Sequence, residues 1–420
     1  MVSPRPHEFI RFVHSTLQDF NDRFIRSRMW CPRSVFIAVL LLTRARRRTT
    51  YRELMNSILS DAAGFLNWDH HPSIASLSQA RGKLTAESCR TVLRLLTERL
   101  GKMMPKRNSH FSGRRFIALD GVRLMAPRSA DTLKHFNKTK YTRWLSSHYP
   151  QALCVVAVDV FRRLPLDFVL LPKGRGERLG AQQLAEHFHA GDVAIMDRGF
   201  PARWLLKEFL DRKIDVVVRM MAGKFGAWPE VTNFLKSGKK SAVVAIKIEG
   251  DLTVSMRLIR RNFRCGRPKR GQKAETMVIM TTLMAKDGFD RDALIKLYGA
   301  RWGIESLFRD MKCEFSIERF HSESVNGIQQ EIAAVLAWIA FASAIQLFAE
   351  NNLPEGRRVL RTLCFVEATK IMEAILAKTK DLSAIINQAI ENVARYHYAP
   401  KPGRSFPRVC KSPYGRFRVR

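Results

Sequence analysis

The sequence has few acidic residues for its size, and this shortage is its most informative absence. Its 420 residues include 38 Asp and Glu against 72 Lys and Arg, which gives a formal net charge of +34. A chain that is 46% hydrophobic and 10% aromatic is too apolar to be a disordered polycation. The charge instead favours a polyanionic partner, nucleic acid first, because bound cations release counterions from phosphates.

Paired cysteines and targeting segments are also missing. The seven cysteines are scattered and no Cys-x-x-Cys occurs, so the sequence suggests neither a zinc ribbon nor a disulfide framework and fits a reducing compartment best. The N-terminus, MVSPRPHEFI, lacks the apolar stretch of a signal peptide. The apolar run 332–348 is shorter than the roughly 20 residues of a membrane span. We therefore expect a buried core helix there, and no membrane.

Five segments follow from the pattern of apolar residues, glycines and charges: a helical N-terminal DNA-binding domain (1–105), the first part of an α/β core (106–202), a β-rich insertion (203–290), a second part of the core (291–350), and a helical C-terminal region with a basic tail (351–420). The first segment fits either end recognition by a helix-turn-helix or an ordinary helical bundle. Strand, strand, strand, helix, strand within the second predicts a three-layer α/β domain. The insertion predicts a separate small sheet.

The sharpest pattern lies in LIKLYGARWGIESLFRDMKCEF, residues 294–315. Four polar residues fall within about 60° of one another on a helix of 100° per residue. They are Tyr298, Arg301, Glu305 and Lys312. Surface pairing also aligns charges on helices, but these four types at these offsets occur by chance in roughly a few chains per thousand. A carboxylate for a metal, with cations for phosphates, is what phosphodiester chemistry requires.

This spacing resembles the YREK signature of bacterial DDE transposases of insertion-sequence family four. The family's two other acids match Asp120, in Ile-Ala-Leu-Asp-Gly, and Asp197, in Asp-Arg-Gly-Phe. Alone, each of these would be read as a turn or a strand-end cap. The resemblance covers roughly residues 110–350, and Val122 departs from the Ser or Thr common after Asp-Gly. Asp159 also lies in a strand but lacks the following glycine, so we expect it at a strand end or on the outer face.

The resemblance implies an RNase H-like mixed sheet flanked by helices, in which Asp120, Asp197 and Glu305 bind two Mg²⁺ or Mn²⁺ ions. It implies cutting of element ends and joining of 3′-OH ends to target DNA, by a homodimer on double-stranded DNA, in the bacterial cytoplasm and associated with the nucleoid. The expected DNA contacts are Tyr298, Arg301, Lys312, Arg198, Arg267 and Arg270. Because Arg301 and Lys312 cannot ligate a cation, we expect their substitution to leave metal binding unaltered.

Two further features leave alternatives open. The loop GRPKRG, residues 266–271, resembles a minor-groove hook but equally fits a solvated hairpin loop. Trp228 could stack on an unpaired base or simply be packed. Two other functions also fit the sequence: an RNase H-like nuclease or resolvase, and a non-catalytic DNA-binding protein derived from a transposase. Strand transfer separates the first from a transposase, since a nuclease yields cut ends only.

Overall fold

The computed structural model describes residues 30–45, 49–57, 73–105, 113–136, 148–172, 175–223, 227–263, 275–377 and 381–400. The predicted DNA contacts Arg267 and Arg270, and the basic tail beyond residue 400, lie outside the described residues.

Helices lie before, between and after the strands in the described part of the chain. They are α1 Pro32–Leu42, α2 Tyr51–Ser57, α3 Ile74–Lys83, α4 Ala86–Met103, α5 Ala130–Phe136, α6 Glu177–Ala185, α7 Arg203–Asp211, α8 Pro229–Lys236, α9 Arg291–Ala300, α10 Gly303–Arg309, α11 Val325–Asn351, α12 Arg361–Leu376 and α13 Leu382–Arg395, with a 3₁₀ turn at Ala285–Asp287 and a π-helical turn at Asp310–Glu314.

The strands are β1 Phe116–Met125, β2 Gln151–Asp159, β3 Leu164–Pro172, β4 Val193–Met196, β5 Asp215–Met220, β6 Ser241–Glu249, β7 Leu252–Phe263, β8 Glu275–Thr281, β9 Arg358–Val359 and β10 His397–Tyr398. The first eight form one sheet in the order β3-β2-β1-β4-β5-β8-β7-β6. Strand β4 is parallel to β1 and to β5, and the other pairings in this sheet are antiparallel. The run β3-β2-β1-β4-β5 is the RNase H-like order, which confirms the predicted α/β class.

The separate small sheet predicted within residues 203–290 is wrong. Strand β5 pairs with β8, for example Val217 with Thr281, so the meander β6–β8 extends the central sheet. Alternating apolar residues identify the strands themselves but carry no record of their pairing partners. The pairing of β5 with β8 is a tertiary fact.

Both faces of the sheet are covered. One face packs against α6, α7 and α8 through residues such as Ile117 and Val155. The other face packs, through residues such as Phe116 and Val156, against the core that α11 shares with α1 and α4. Alternation of apolar side chains along buried strands supplies both faces at once. The helices before residue 105 therefore share a core with the sheet.

Helix α11 is the centre of that second layer, as the apolar run 332–348 predicted. By length and composition it is the one helix in the described ranges that could cross a membrane, and 89% of its most apolar window is buried inside the protein. The Trp338 indole donates a hydrogen bond to the Leu40 carbonyl at 2.9 Å, which ties α11 to α1.

A buried ion pair fastens α3 to α11. The Arg81 guanidinium donates to Glu331 Oε1 at 2.9 Å, and to Gln330 and the Tyr51 hydroxyl. His321 N–H donates to the second Glu331 oxygen at 2.9 Å. Burial alone would raise the pKa of Glu331, but His321 and Arg81 hold it below its usual value. Every oxygen of this buried carboxylate thus has a donor.

Candidate functional site

Strand register brings the first two acids together. Parallel pairing of β1 with β4 sets Leu119 opposite Met196, so the next residues, Asp120 and Asp197, stand side by side at the carboxyl end of β4. Each carboxylate accepts a backbone N–H from a residue that follows it: Asp120 from Gly121 at 2.8 Å, and Asp197 from Gly199 at 2.7 Å. Asp120 is partly buried, with 17% of its side chain exposed.

Arg301 joins the third acid to the first. Its guanidinium donates to Asp120 Oδ2 at 2.9 Å and to Glu305 Oε1 at 3.1 Å. The residue is nearly buried, and its guanidinium carbon lies 5.9 Å from the centre of the Tyr298 ring. Three of the four residues of the predicted stripe are therefore in one place, next to Asp120.

The prediction of one uniform helix through this segment is wrong. The N–H groups of Arg301 and Trp302 bond three residues back, so α9 ends in a tight turn before α10 begins. At the far end the Phe315 N–H bonds Asp310 five residues back, in the π-helical turn. Gly299 and Gly303, which favour helix weakly, flank the tight turn.

Lys312 is on the π-helical turn, away from the acids. Its ammonium donates to the Arg123 carbonyl at 2.9 Å, near the end of β1, and lies 3.6 Å from Glu318. Its side chain is 30% exposed. The structure therefore places Lys312 against β1 and does not bring it to Asp120 or Glu305.

The remaining predicted residues are placed as follows. Tyr298 is buried, and burial raises the pKa of its hydroxyl. Arg198 is exposed beside Asp197. Trp228 is partly buried, with the Arg203 guanidinium 4.3 Å from its ring centre, which is the packed alternative. Asp159 lies at the end of β2, where it accepts from the backbone of Phe161 and pairs with Arg162, as expected of a residue outside the site.

One acid at this place was missed by the sequence reasoning. Glu177, the first residue of α6, lies beside Asp120 and Asp197, and its carboxylate occupies the space where a side chain at position 121 would stand. A lone Glu at a helix start ordinarily reads as a charge placed near the helix dipole. The signal available in the sequence was the glycine after each aspartate motif, Gly121 and Gly199. A glycine indicates that another group can lie close to the backbone, but it does not identify that group.

The sequence model of the family described as "Transposase DDE domain" matches residues 111–341, more than half of the protein. The chain belongs to the DDE transposase family. Among solved structures it is similar to piggyBac transposase in a synaptic complex with hairpin DNA, at 14% sequence identity and a TM-score of 0.40, over 95% of this chain and 84% of that chain. So loose a likeness carries no argument here, and no curated protein matches the chain.

Two acids of this transposase, Asp120 and Glu177, have raised pKa values. For Asp120, burial is the main cause of a raised pKa, with Asp197 and Glu305 adding to it against the opposing Gly121 N–H and Arg301. For Glu177, burial first and then the charges of Asp120 and Asp197 raise the pKa to about 7. Negative charge at this end of the sheet is therefore costly without a cation.

The donor set of the transposase suits a hard divalent cation, since it consists of carboxylate oxygens. As they stand, however, no three His, Cys, Asp or Glu side chains of the described ranges are arranged to hold a metal ion. The Arg301 guanidinium stands between Asp120 and Glu305. The carboxylate oxygens are suitable ligands for a divalent cation, and the Arg301 guanidinium occupies part of the space between Asp120 and Glu305.

Proposed function

We propose that this protein is a transposase of insertion-sequence family four, which cuts the ends of its element and joins the 3′-OH ends to target DNA. The observation that carries the proposal is the convergence at residue 301. One guanidinium there bonds Asp120 and Glu305, and β-sheet register puts Asp197 beside Asp120. Acids from two strands and a helix meet in the part of the chain that the DDE family covers.

Asp120, Asp197 and Glu305 are assigned to hold Mg²⁺ or Mn²⁺, two ions per site. Bound ions of this kind stabilise the attacking and leaving oxygens of a phosphodiester. The strand positions of Asp120 and Asp197 fix their carboxylates before any ion arrives, since each is already held by a backbone N–H. Such preorganisation reduces the reordering required during the reaction.

DNA contacts are assigned to the cations around the acids. Arg198 is exposed next to Asp197 and is free to meet a phosphate. Arg301 can hold a phosphate once it leaves its two carboxylates, and Tyr298 lies beneath it. Lys312 would reach DNA only by leaving the Arg123 carbonyl. Arg267 and Arg270 keep their proposed role in the basic loop, and a homodimer on DNA is part of the proposal, because two ends must be joined together.

Substitution of the acids tests the assignment. Asp120→Asn, Asp197→Asn and Glu305→Gln are each expected to lower cleavage of element-end DNA at least about 100-fold. Loss of a residue that only hydrogen-bonds a metal ligand already lowers activity about 10- to 100-fold, and loss of the ligand itself should cost more. End binding should be nearly unchanged in a gel-shift assay, because phosphate contacts supply most of the affinity. Asp292→Asn, the same change at a largely exposed carboxylate of α9, is the matched control and should cleave as the wild type does.

The products decide between the transposase and its rivals. A transposase incubated with Mg²⁺, element ends and a plasmid should give molecules in which an element 3′ end is joined to plasmid DNA. Cut ends without any joined product would identify a nuclease or resolvase. Binding without cleavage in either Mg²⁺ or Mn²⁺ would identify a non-catalytic DNA-binding protein.

A further inference from the structure

Gly121 leaves room for the Glu177 carboxylate, and Gly199 lies next to it. A Cβ at position 121 would lie 2.5 Å from Glu177 Oε1 and 2.8 Å from its Cγ, so a side chain there would force the Glu177 carboxylate to move. A Cβ at position 199 would lie 3.6 Å from Glu177 Oε2 and 3.1 Å from Asp197 Oδ1. The glycine of Asp120-Gly121 therefore admits the Glu177 carboxylate, and the glycine of Asp197-x-Gly199 is in ordinary contact distance of it.

The start of α6 is fastened at this place. Arg178, the residue after Glu177, donates to the Gly199 carbonyl at 3.0 Å, which ties the first turn of α6 to the loop after β4. One turn further, Gly180 packs so closely on Val155 of β2 that a Cβ there would lie 2.5 Å from a Val155 methyl group. Contacts made by Arg178 and Gly180 thus hold the backbone of the first turn of α6, on which Glu177 lies.

Charge at this place is unbalanced. Arg301 pairs with Asp120 and Glu305, but within the described ranges neither Asp197 nor Glu177 forms an ion pair. The charges that act on Glu177 are Asp120, Asp197 and, more weakly, Arg123. A carboxylate packed beside two others, without a paired cation, is destabilising unless a cation binds there.

We propose that Glu177 is a fourth carboxylate of the cation site, which ligates the metal ion on the Asp120–Asp197 side. The proposal rests on the proposed function, because it assumes that Asp120 and Asp197 hold a divalent ion. It gives a reason for the glycine at position 121, where a side chain would displace the Glu177 carboxylate. Glu177 is then a ligand to the metal, in the same sense as the two aspartates.

Binding of Mn²⁺ to the full chain, measured by the electron paramagnetic resonance of the free ion, tests the proposal. Glu177→Gln should weaken Mn²⁺ binding by about 10- to 100-fold. Glu186→Gln makes the same change on an exposed residue at the other end of α6 and should leave binding as in the wild type. Without metal, the Glu177→Gln protein should unfold at or above the wild-type Tm, because a charge next to two others is removed, and Mn²⁺ should raise its Tm less than it raises that of the wild type.

The outcomes separate this proposal from the proposed function. If Asp120→Asn and Asp197→Asn weaken Mn²⁺ binding while Glu177→Gln binds as the wild type does, Glu177 is not a ligand and the proposed function stands. If none of the three alters Mn²⁺ binding, the metal assignment of the proposed function itself is overturned.

Gly121→Ala gives a second test that does not depend on how Glu177→Gln folds. Its methyl group should displace the Glu177 carboxylate and weaken Mn²⁺ binding in the wild-type background. In a Glu177→Ala background the clash is gone, so the same substitution should have no further effect. Equal losses in both backgrounds would overturn the proposal, since Gly121 would then act without Glu177.

Discussion

A single side chain, Arg301, holds two of the acids in the free protein. Its guanidinium bonds Asp120 and Glu305. We therefore propose, against the expectation from the sequence, that substitution of Arg301 alters metal binding. A unit charge about 4 Å away in a medium of effective dielectric 20 is worth about 4 kcal/mol, which is ample to repel a second cation. A metal ion bound as proposed would compete with Arg301 for the same oxygens.

Arg301→Ala should therefore tighten Mn²⁺ binding in the absence of DNA by at least about tenfold, while lowering cleavage of bound ends. Titration of Mn²⁺ against the DNA-free protein measures the first effect. Lys312→Ala is the matched control, because the Lys312 ammonium contacts the Arg123 carbonyl and Glu318 and no acid of the site. Weaker Mn²⁺ binding by Arg301→Ala would show that the arginine orders the carboxylates and does not compete for them.

At the scale of elements, the sequence predicted individual strands and helices but not which distant elements contact one another. The strands β1 to β4 and the buried helix α11 follow from runs of Val, Ile, Leu and Ala whose period and length are local properties. The β5–β8 pairing and the approach of Glu177 to Asp120 are contacts between distant segments, which periodicity does not record. The break between α9 and α10 was not predicted, because the sequence analysis placed every residue at an ideal 100° on one helix and took no account of Gly299 and Gly303.

The tie between α3 and α11 carries its own prediction. Glu331→Gln should lower the free energy of unfolding by about 3 kcal/mol or more, since it leaves Arg81 buried and unpaired. The effect should depend on pH in a stated direction. Because the folded pKa of Glu331 is below the unfolded value of about 4.3, its stabilisation is complete above that value and is lost as the pH falls through the folded pKa.

Urea denaturation at pH 7 and at pH 3 measures this difference. The gap between wild type and Glu331→Gln should be large at pH 7 and smaller at pH 3. Lys102→Ala, which removes a largely exposed ion pair with Glu98 on α4, should cost little at either pH. A gap that is the same at both pH values would mean that the charge of Glu331 contributes nothing and that only its shape matters.

For the molecule as a whole, the net charge of +34 favours binding to DNA, and the number of phosphates contacted sets how that binding responds to salt. If six to ten phosphates are contacted, affinity for an element end should fall by about 10³- to 10⁵-fold between 50 and 200 mM salt. Arg267→Ala and Arg270→Ala should each flatten the plot of log affinity against log salt by roughly one phosphate's worth. Lys102→Ala removes the same charge from α4 and is the control; slopes equal to the wild type for both arginine variants would exclude the loop from the interface.

The bond between Trp338 and Leu40 spans 298 residues of chain, and this separation has a consequence for the protein as it is made. At about 5–20 residues per second, roughly 15–60 s pass between the appearance of α1 and that of α11. Throughout that interval the apolar face of α1 emerges from the ribosome without the helix that covers it. We therefore expect chaperones that recognise apolar segments to bind the first helices of this transposase during synthesis. In a nascent chain stalled on the ribosome before residue 325, a protease should digest the first hundred residues.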